Sequence, residues 1–150
     1  MTDAPPSRSD FAGVRAITIR WSDVDIYGHV NNAAYYFYVD TAVNEWLIRE
    51  VGEDLRHGDV IGVVAETQCR FLREIDFPGD VEVGLRIERL GNSSVTYRFG
   101  IFAADDDVAR ATGIFVHVYV DRRTRRPSPM PAAVRAALAL LPGGAPVAGS

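Results

Sequence analysis

Apolar positions along the chain follow two spacings, a helical period and the period of two that is typical of strands. Residues 16–21 alternate between apolar and polar side chains, as a half-buried strand does. Residues 33–50 carry two apolar stripes with helical spacing, which predicts a long helix that is apolar on nearly all sides. We expect the first half of this helix to be enclosed and its more polar second half to emerge.

Beyond residue 60 the pattern predicts four consecutive strands, at 61–72, 81–90, 95–102 and 109–120. Turn-forming residues separate them, most clearly at 76–80 and at 91–92. A short terminal helix is predicted over 131–141, with Pro131 in its first turn. A single antiparallel sheet curled around the long helix would cover such an apolar helix, so the predicted fold class is α+β.

The two ends of the chain differ in composition from the rest. Residues 1–13 include a stretch rich in Pro, Ser and Asp, and residues 142–150 are mostly small residues. We predict a disordered N-terminal segment over 1–13 and a flexible tail over 142–150. Because neither a repeat nor a linker divides residues 14–141, we expect one domain there.

Composition narrows the functional classes. A net charge of −4 gives no reason to expect nucleic acid as a partner. Cys69 is the only cysteine, which excludes a disulfide framework and a cysteine metal site. The chain has neither an apolar run that could span a bilayer nor an N-terminal signal pattern. We therefore expect a cytoplasmic protein that does not bind membranes.

The segment between the first strand and the long helix carries most of the candidate chemistry. Residues 23–32 contain two carboxylates, a glycine, a histidine and two asparagines, namely Asp23, Asp25, Gly28, His29, Asn31 and Asn32. Gly28 predicts a tight turn, and the asparagines stand where a helix N-cap is expected. The N–H groups at a helix N-terminus polarise a carbonyl oxygen placed there. With the carboxylate of Asp25 nearby, the segment has the two groups that acyl transfer to water requires.

The pattern Asp23-x-Asp25-x-x-Gly28-His29-Val30-Asn31-Asn32-x-x-Tyr35 resembles the signature of the hotdog-fold acyl-CoA thioesterases. The resemblance is greatest to their 4-hydroxybenzoyl-CoA thioesterase-like branch and extends over residues 14–141, with supporting similarity at 77–80, 90–94 and 118–121. It implies an antiparallel sheet wrapped around a long central helix, and hydrolysis of an acyl-CoA. No grouping of three metal ligands is visible in the sequence, so we expect neither a metal nor another cofactor.

The resemblance also implies roles for individual residues. Asp25 corresponds to the catalytic carboxylate, either as a nucleophile or as a general base for water. The backbone N–H near Asn32 would hold the thioester oxygen. His29 and Asn31 match positions that shape the turn, and Asn31 is also a candidate for contact with the substrate. His29 is a catalytic candidate or a local hydrogen-bonding residue, and Tyr35 lines the acyl pocket or belongs to the core.

Further positions are expected to contact the substrate. Thr67 and its neighbour Glu66 lie on the strand that crosses the helix in a hotdog fold, where one of them either points into the site or faces solvent. Three residues near the second strand-to-strand turn are candidates for binding the pantetheine arm or the phosphates of CoA: Arg89, Ser93 and Ser94. Arg122 and Arg123 either meet the nucleotide or belong to a solvated exit. In the family the site lies at a subunit interface, so a homodimer is expected, with a homotetramer as the alternative.

Two other functions fit the same residues. Asp25 and His29 could move protons in the hydration or dehydration of an acyl-CoA, although the two asparagines at the helix start match the thioesterases better. The chain could also bind acyl-CoA without catalysis, because a fold does not fix a function. The acyl group, and the choice between CoA and an acyl carrier protein, are left open by the sequence.

Overall fold

Five strands and two helices make up the fold. The computed structural model describes residues 4–144, apart from the side chains of residues 53 and 54. In chain order the elements are β1 (Ala12–Thr18), α1 (Asn32–Val51), β2 (Val60–Phe71), β3 (Asp80–Leu90), β4 (Ser94–Ala103), β5 (Ala111–Asp121) and α2 (Ala132–Leu138). The long helix, the four later strands and the terminal helix are confirmed, whereas the first strand begins and ends earlier than predicted.

The strands form one antiparallel sheet in the order β1-β3-β4-β5-β2. In β3 the apolar residues Val81, Val83, Leu85 and Ile87 alternate with polar or small ones, and all four are buried, as the period of two predicts. β2 lies at one edge, next to β5, with a register shift between Val64 and Glu66. Together with α1 and α2, this sheet has the hotdog architecture that the sequence predicted.

The long helix is buried along one face only. Its buried residues are spaced three and four apart over its whole length: Ala34, Tyr35, Tyr38, Val39, Ala42, Val43, Trp46 and Leu47. On the other side Phe37 is 69% exposed. The expectation that the first half is enclosed on nearly all sides is therefore wrong for the single chain, because the sheet covers only one stripe.

The ordered structure begins before residue 14. Phe11 is buried and packs edge-on against Phe102, and the Arg8 guanidinium donates to the backbone oxygens of Ala103 and Asp106. Near the other end, the Ile87 N–H donates to the Pro142 oxygen at 2.8 Å. Residues 1–3 and 145–150, which belong to the predicted flexible ends, lie outside the described residues.

Neither α1 nor α2, the helices of the described part of the chain, is both long and apolar enough to cross a membrane.

Candidate active site

Asp23 ends the first strand early and anchors the segment that follows. Residues Trp21–Asp23 form a 3-10 turn, and the Asp23 carboxylate is only 4% exposed. It accepts hydrogen bonds from the Arg20 backbone N–H at 2.9 Å, from the Arg20 guanidinium at 2.9 Å and from the Tyr38 hydroxyl at 2.8 Å. Since Tyr38 lies on α1, this carboxylate fixes the segment to the helix.

These contacts also keep Asp23 charged. Burial by itself would raise the pKa of its carboxyl, but the hydrogen bonds from Arg20 and Tyr38 hold that pKa below its ordinary value. A carboxylate whose oxygens are already used in this way is suited to a structural role. Asp23 thus holds the turn against α1.

Asp25 lies in a tight turn that uses one of its two carboxylate oxygens. Its Oδ1 accepts from the backbone N–H groups of Tyr27 at 2.9 Å and His29 at 3.3 Å. Gly28 closes the turn with a φ of 86°, as the sequence predicted. Among residues 4–144, Oδ2 of Asp25 has no hydrogen-bond partner, so the carboxylate is oriented by one oxygen and open at the other.

The start of α1 supplies the second chemical group. Asn31 is the N-cap, and its side-chain oxygen accepts from the Ala33 N–H at 2.9 Å, as predicted for this position. The Ala34 N–H donates to the Asn31 backbone oxygen at 2.9 Å. Within the described chain the Asn32 N–H has no acceptor. It is therefore a free donor at the positive end of the helix dipole.

Both groups line one cavity of about 560 Å³. The residues around it are Asp25, His29, Val30, Asn32, Tyr35, Phe71, Leu72, Arg73 and Glu74. The structure thus brings together four of the predicted site residues, Asp25, His29, Asn32 and Tyr35. In the part of the chain that is described, no three potential ligands are arranged to hold a metal ion.

His29 joins this segment to the connection between β2 and β3. Its Nε2 lies 3.0 Å from Oε2 of Glu74 and 3.9 Å from Oδ1 of Asp76. Next to it, the Val30 N–H donates to the Ile75 oxygen at 3.0 Å. His29 therefore lines the cavity and, at the same time, holds two loops together.

The sequence analysis missed the cavity wall that follows β2. Phe71, Leu72, Arg73 and Glu74 approach the turn of Asp25 from more than forty positions away in the chain. The sequence did contain a signal for this wall: His29 needs a hydrogen-bond partner, and Glu74 is a carboxylate that stands just after the long strand β2.

Tyr35 forms an uncharged wall of the cavity. It is buried, and its ring meets that of Phe71 edge-on with centroids 5.0 Å apart. Burial raises the pKa of its hydroxyl to about 12. The hydroxyl is thus protonated at neutral pH, which makes Tyr35 a packing and hydrogen-bonding residue rather than a base.

The other predicted contact residues lie outside this cavity. Thr67 is exposed and stands opposite the buried Phe115, on the sheet face that carries α1. Glu66 accepts from Gln68, its neighbour two positions along the edge strand. Arg122 donates to the backbone oxygens of Gly58 and Arg56.

The three candidates for CoA binding are at the far end of the sheet. Ser94 pairs with Val118 of β5, and Ser93 and Arg89 flank the same turn, whereas Phe71 of the cavity pairs with Ala111. Val118 follows Ala111 by seven positions along β5, so the two residues lie about 23 Å apart. Within one chain, Arg89, Ser93 and Ser94 therefore do not meet the cavity.

The fold recurs in proteins of known structure. The chain is 46% identical to the PA5185 protein from Pseudomonas aeruginosa strain PAO1, with a TM-score of 0.88 over 92% of this chain and 96% of that one. A thioesterase from Thermus thermophilus, whose structure contains coenzyme A and Zn, is 30% identical, with a TM-score of 0.71 over 85% of this chain and 91% of that one.

A sequence relative and a family match complete the comparison. The uncharacterized protein YsmA of Bacillus subtilis (strain 168) is 23% identical over 92 residues, which span 61% of this chain and 62% of that protein. Residues 19–138 match the Thioesterase-like superfamily, and this range contains every residue that lines the cavity. With four fifths of its sequence and its complete candidate site inside that match, the chain belongs to the Thioesterase-like superfamily.

Proposed function

We propose that this protein is an acyl-CoA thioesterase that releases a free acid and CoA, with Asp25 as its catalytic carboxylate. One observation carries the proposal. The open oxygen of Asp25 and the free N–H of Asn32 belong to residues that line the same cavity, at the start of a long helix. Membership of the superfamily supports thioester hydrolysis in general, and the choice of residues and substrate is our inference.

The geometry suits attack on a thioester. The carbonyl oxygen would accept from the Asn32 N–H, where the helix dipole stabilises the negative charge that develops during attack. Asp25 would either attack the carbonyl carbon, so that the CoA thiolate leaves and water cleaves the resulting anhydride, or take a proton from the attacking water. In both routes the N–H groups of Tyr27 and His29 hold the carboxylate in position.

CoA is the thiol that we favour. A thioesterase with 30% identity was solved with coenzyme A, which supports a CoA substrate. The net charge of −4 disfavours docking of an acidic carrier protein, because like charges slow association. Fractionation of the source cells would test the cytoplasmic location that the sequence predicts.

We further propose that the protein acts as a homodimer, with a homotetramer as the alternative. β2 is a twelve-residue edge strand, and Val64 and Phe71 on it are 49% and 44% exposed. A long edge strand presents unpaired backbone groups, and with exposed apolar side chains beside them it is a site for pairing with another chain. A second subunit would also allow Arg89, Ser93 and Ser94 to reach a substrate in this cavity. Sedimentation of the wild type and of Val64→Asp tests this, with a monomeric wild type as the contradicting result.

Free-thiol release from short, long and aromatic acyl-CoAs tests the catalytic proposal. Asp25→Asn should lose activity by about 100-fold or more, because it removes the base or nucleophile. Asp105→Asn, which changes an exposed carboxylate outside the cavity, is the matched control and should retain activity. Circular dichroism and thermal unfolding establish that both variants are folded.

Each contrary result has a definite meaning. Full activity in Asp25→Asn would remove Asp25 from the mechanism. If no acyl-CoA is hydrolysed while binding is tight, hydrolysis itself is excluded. A change in enoyl absorbance would then identify a hydratase, and binding without turnover would identify a binding module.

A further inference from the structure

A second cavity, of about 490 Å³, lies between the second half of α1 and the β2–β5 edge of the sheet. Its inner end is formed by His117 and Tyr119 of β5, whose side chains are 3% and 1% exposed. Leu47 of α1 and Ile61 of β2 contribute apolar walls, whereas the exposed mouth is polar and charged, with Asp40, Thr41, Arg56 and Arg122. This cavity shares no lining residue with the candidate active site.

The inner end carries buried polar atoms that the protein does not satisfy. Nδ1 of His117 and the hydroxyl oxygens of Tyr119 and Tyr97 have no hydrogen-bond partner among the described residues. The His117 ring lies 6.1 Å from the Tyr97 ring and 6.2 Å from the Tyr119 ring, measured between centroids. Because most buried polar groups in proteins are hydrogen-bonded, the orphaned atoms of His117 and Tyr119, which both line the cavity, indicate that a partner enters from it.

The chemistry of these groups defines the partner. Burial lowers the pKa of His117 to about 4, so at neutral pH its ring is uncharged, with one nitrogen as a donor and the other as an acceptor. A tyrosine hydroxyl can also donate and accept. An ionised group at this depth would lose its hydration without meeting a full opposite charge. An uncharged hydroxyl or amide matches the inner end, and an apolar body matches the walls.

Gly62 keeps the approach to these rings open. A Cβ atom on Gly62 would lie 3.3 Å from the Tyr119 ring and 3.5 Å from Cγ of His117. A larger side chain at this position would therefore extend over both rings. Along α1, Leu47 of this cavity is twelve residues from Tyr35 of the first one, or about 18 Å.

We propose that the second cavity is a binding site for a small uncharged ligand that has an apolar body and one hydroxyl or amide group, which hydrogen-bonds to His117 and Tyr119. The site is separate from the proposed chemistry at Asp25 and does not depend on it.

The three histidines of the chain report on the location of binding. His29 lines the first cavity, His117 lines the second, and His57 is exposed and lines neither. Protein labelled with ¹⁵N-histidine is titrated near pH 7 with benzyl alcohol, benzamide and benzoate. We expect the two uncharged probes to shift the ring resonances of His117 and leave those of His29 and His57 in place. Benzoate should bind beside His117 about tenfold more weakly or worse, because its charge must be desolvated at the inner end, away from the exposed Arg56 and Arg122 at the mouth.

Two variants and one control complete the test. Binding to the variants is followed through the saturation-transfer signals of benzamide itself. Gly62→Val should weaken benzamide binding by about tenfold, because its side chain covers the rings, and His117→Phe should do the same by removing the hydrogen bond. Val63→Ile, which enlarges the neighbouring residue opposite Val118, should bind like the wild type. The proposal is overturned if neither uncharged probe shifts His117, if His29 shifts instead, if benzoate binds as tightly as benzamide, or if both folded variants bind like the wild type.

Discussion

Acidification from pH 7 to pH 5 should destabilise the folded protein, with His117 as the main cause. Its side chain is 3% exposed, and burial lowers the pKa of the ring from 6.5 to about 4. The Tyr97 and Tyr119 hydroxyls beside it do not titrate in this range, since burial raises the pKa of both, to about 12 for Tyr119. No charged side chain forms an ion pair with the ring among the described residues.

The sign and size of this change in the free energy of unfolding follow from proton uptake by the unfolded chain. The unfolded chain binds a proton at His117 as the pH falls below 6.5, whereas the folded protein does so only near pH 4. Between these values the unfolded state holds more protons, so the stability present above pH 6.5 is progressively lost as the pH falls. Each pKa unit corresponds to about 1.4 kcal/mol, which gives a loss of about 2 kcal/mol between pH 7 and pH 5.

Urea unfolding of the wild type and of His117→Phe at pH 7, 6 and 5 measures this effect. Other titrating groups, such as Asp23 and Glu88, are common to both proteins and cancel in the comparison. The free energy of unfolding of the variant should fall by about 2 kcal/mol less than that of the wild type over this range. If the two stability curves remain parallel within about 0.5 kcal/mol, the wild type gains no extra proton on unfolding and the reasoning fails.

Four further substitutions test how the candidate active site is built. Asp23→Asn should lower the free energy of unfolding in urea by about 2–3 kcal/mol, because a buried carboxylate with several donors becomes an amide. Tyr38→Phe removes only one of those donors and should lower it by about half as much. Equal losses in the two variants would contradict this prediction. Asn31→Ala should lower the free energy of unfolding by about 1 kcal/mol, because the N-cap hydrogen bond is lost, while Asn31→Asp should retain the wild-type stability. Thermal unfolding of the wild type and the two variants measures this difference.

Local patterns predicted the elements that tertiary contacts reinforce. The alternation of β3 places its apolar residues on one face, and that same face packs in the core, so pattern and structure agree. β1 ends early because Asp23 offers the Arg20 backbone a side-chain hydrogen bond in place of the sheet, a competition that hydrophobic alternation does not reveal. The exposed face of α1 around Phe37 was predicted to be enclosed because a pattern marks apolar residues without saying what covers them.

The candidate site was predictable to the extent that it is contiguous in sequence. Asp25, His29 and Asn32 lie within eight residues, and one turn and one helix start bring them together. Arg73 and Glu74 reach the same cavity only through the path of the β2–β3 connection, which the sequence does not specify. His117 stands in an ordinary alternating strand, and only the packing of α1 above it turns that position into a buried polar cluster.

The anchoring of Asp23 has a consequence for the energetics of substrate binding. Loops that carry catalytic groups are often among the least stable parts of a protein, and part of the binding energy is then used to order them. Here the segment is fixed to α1 through Tyr38, and the Asn31 N–H donates to the Asp23 backbone oxygen at 2.7 Å. The entropy of this segment is therefore lost when the chain folds, so that a substrate would meet a preorganised site and retain its binding energy for the transition state.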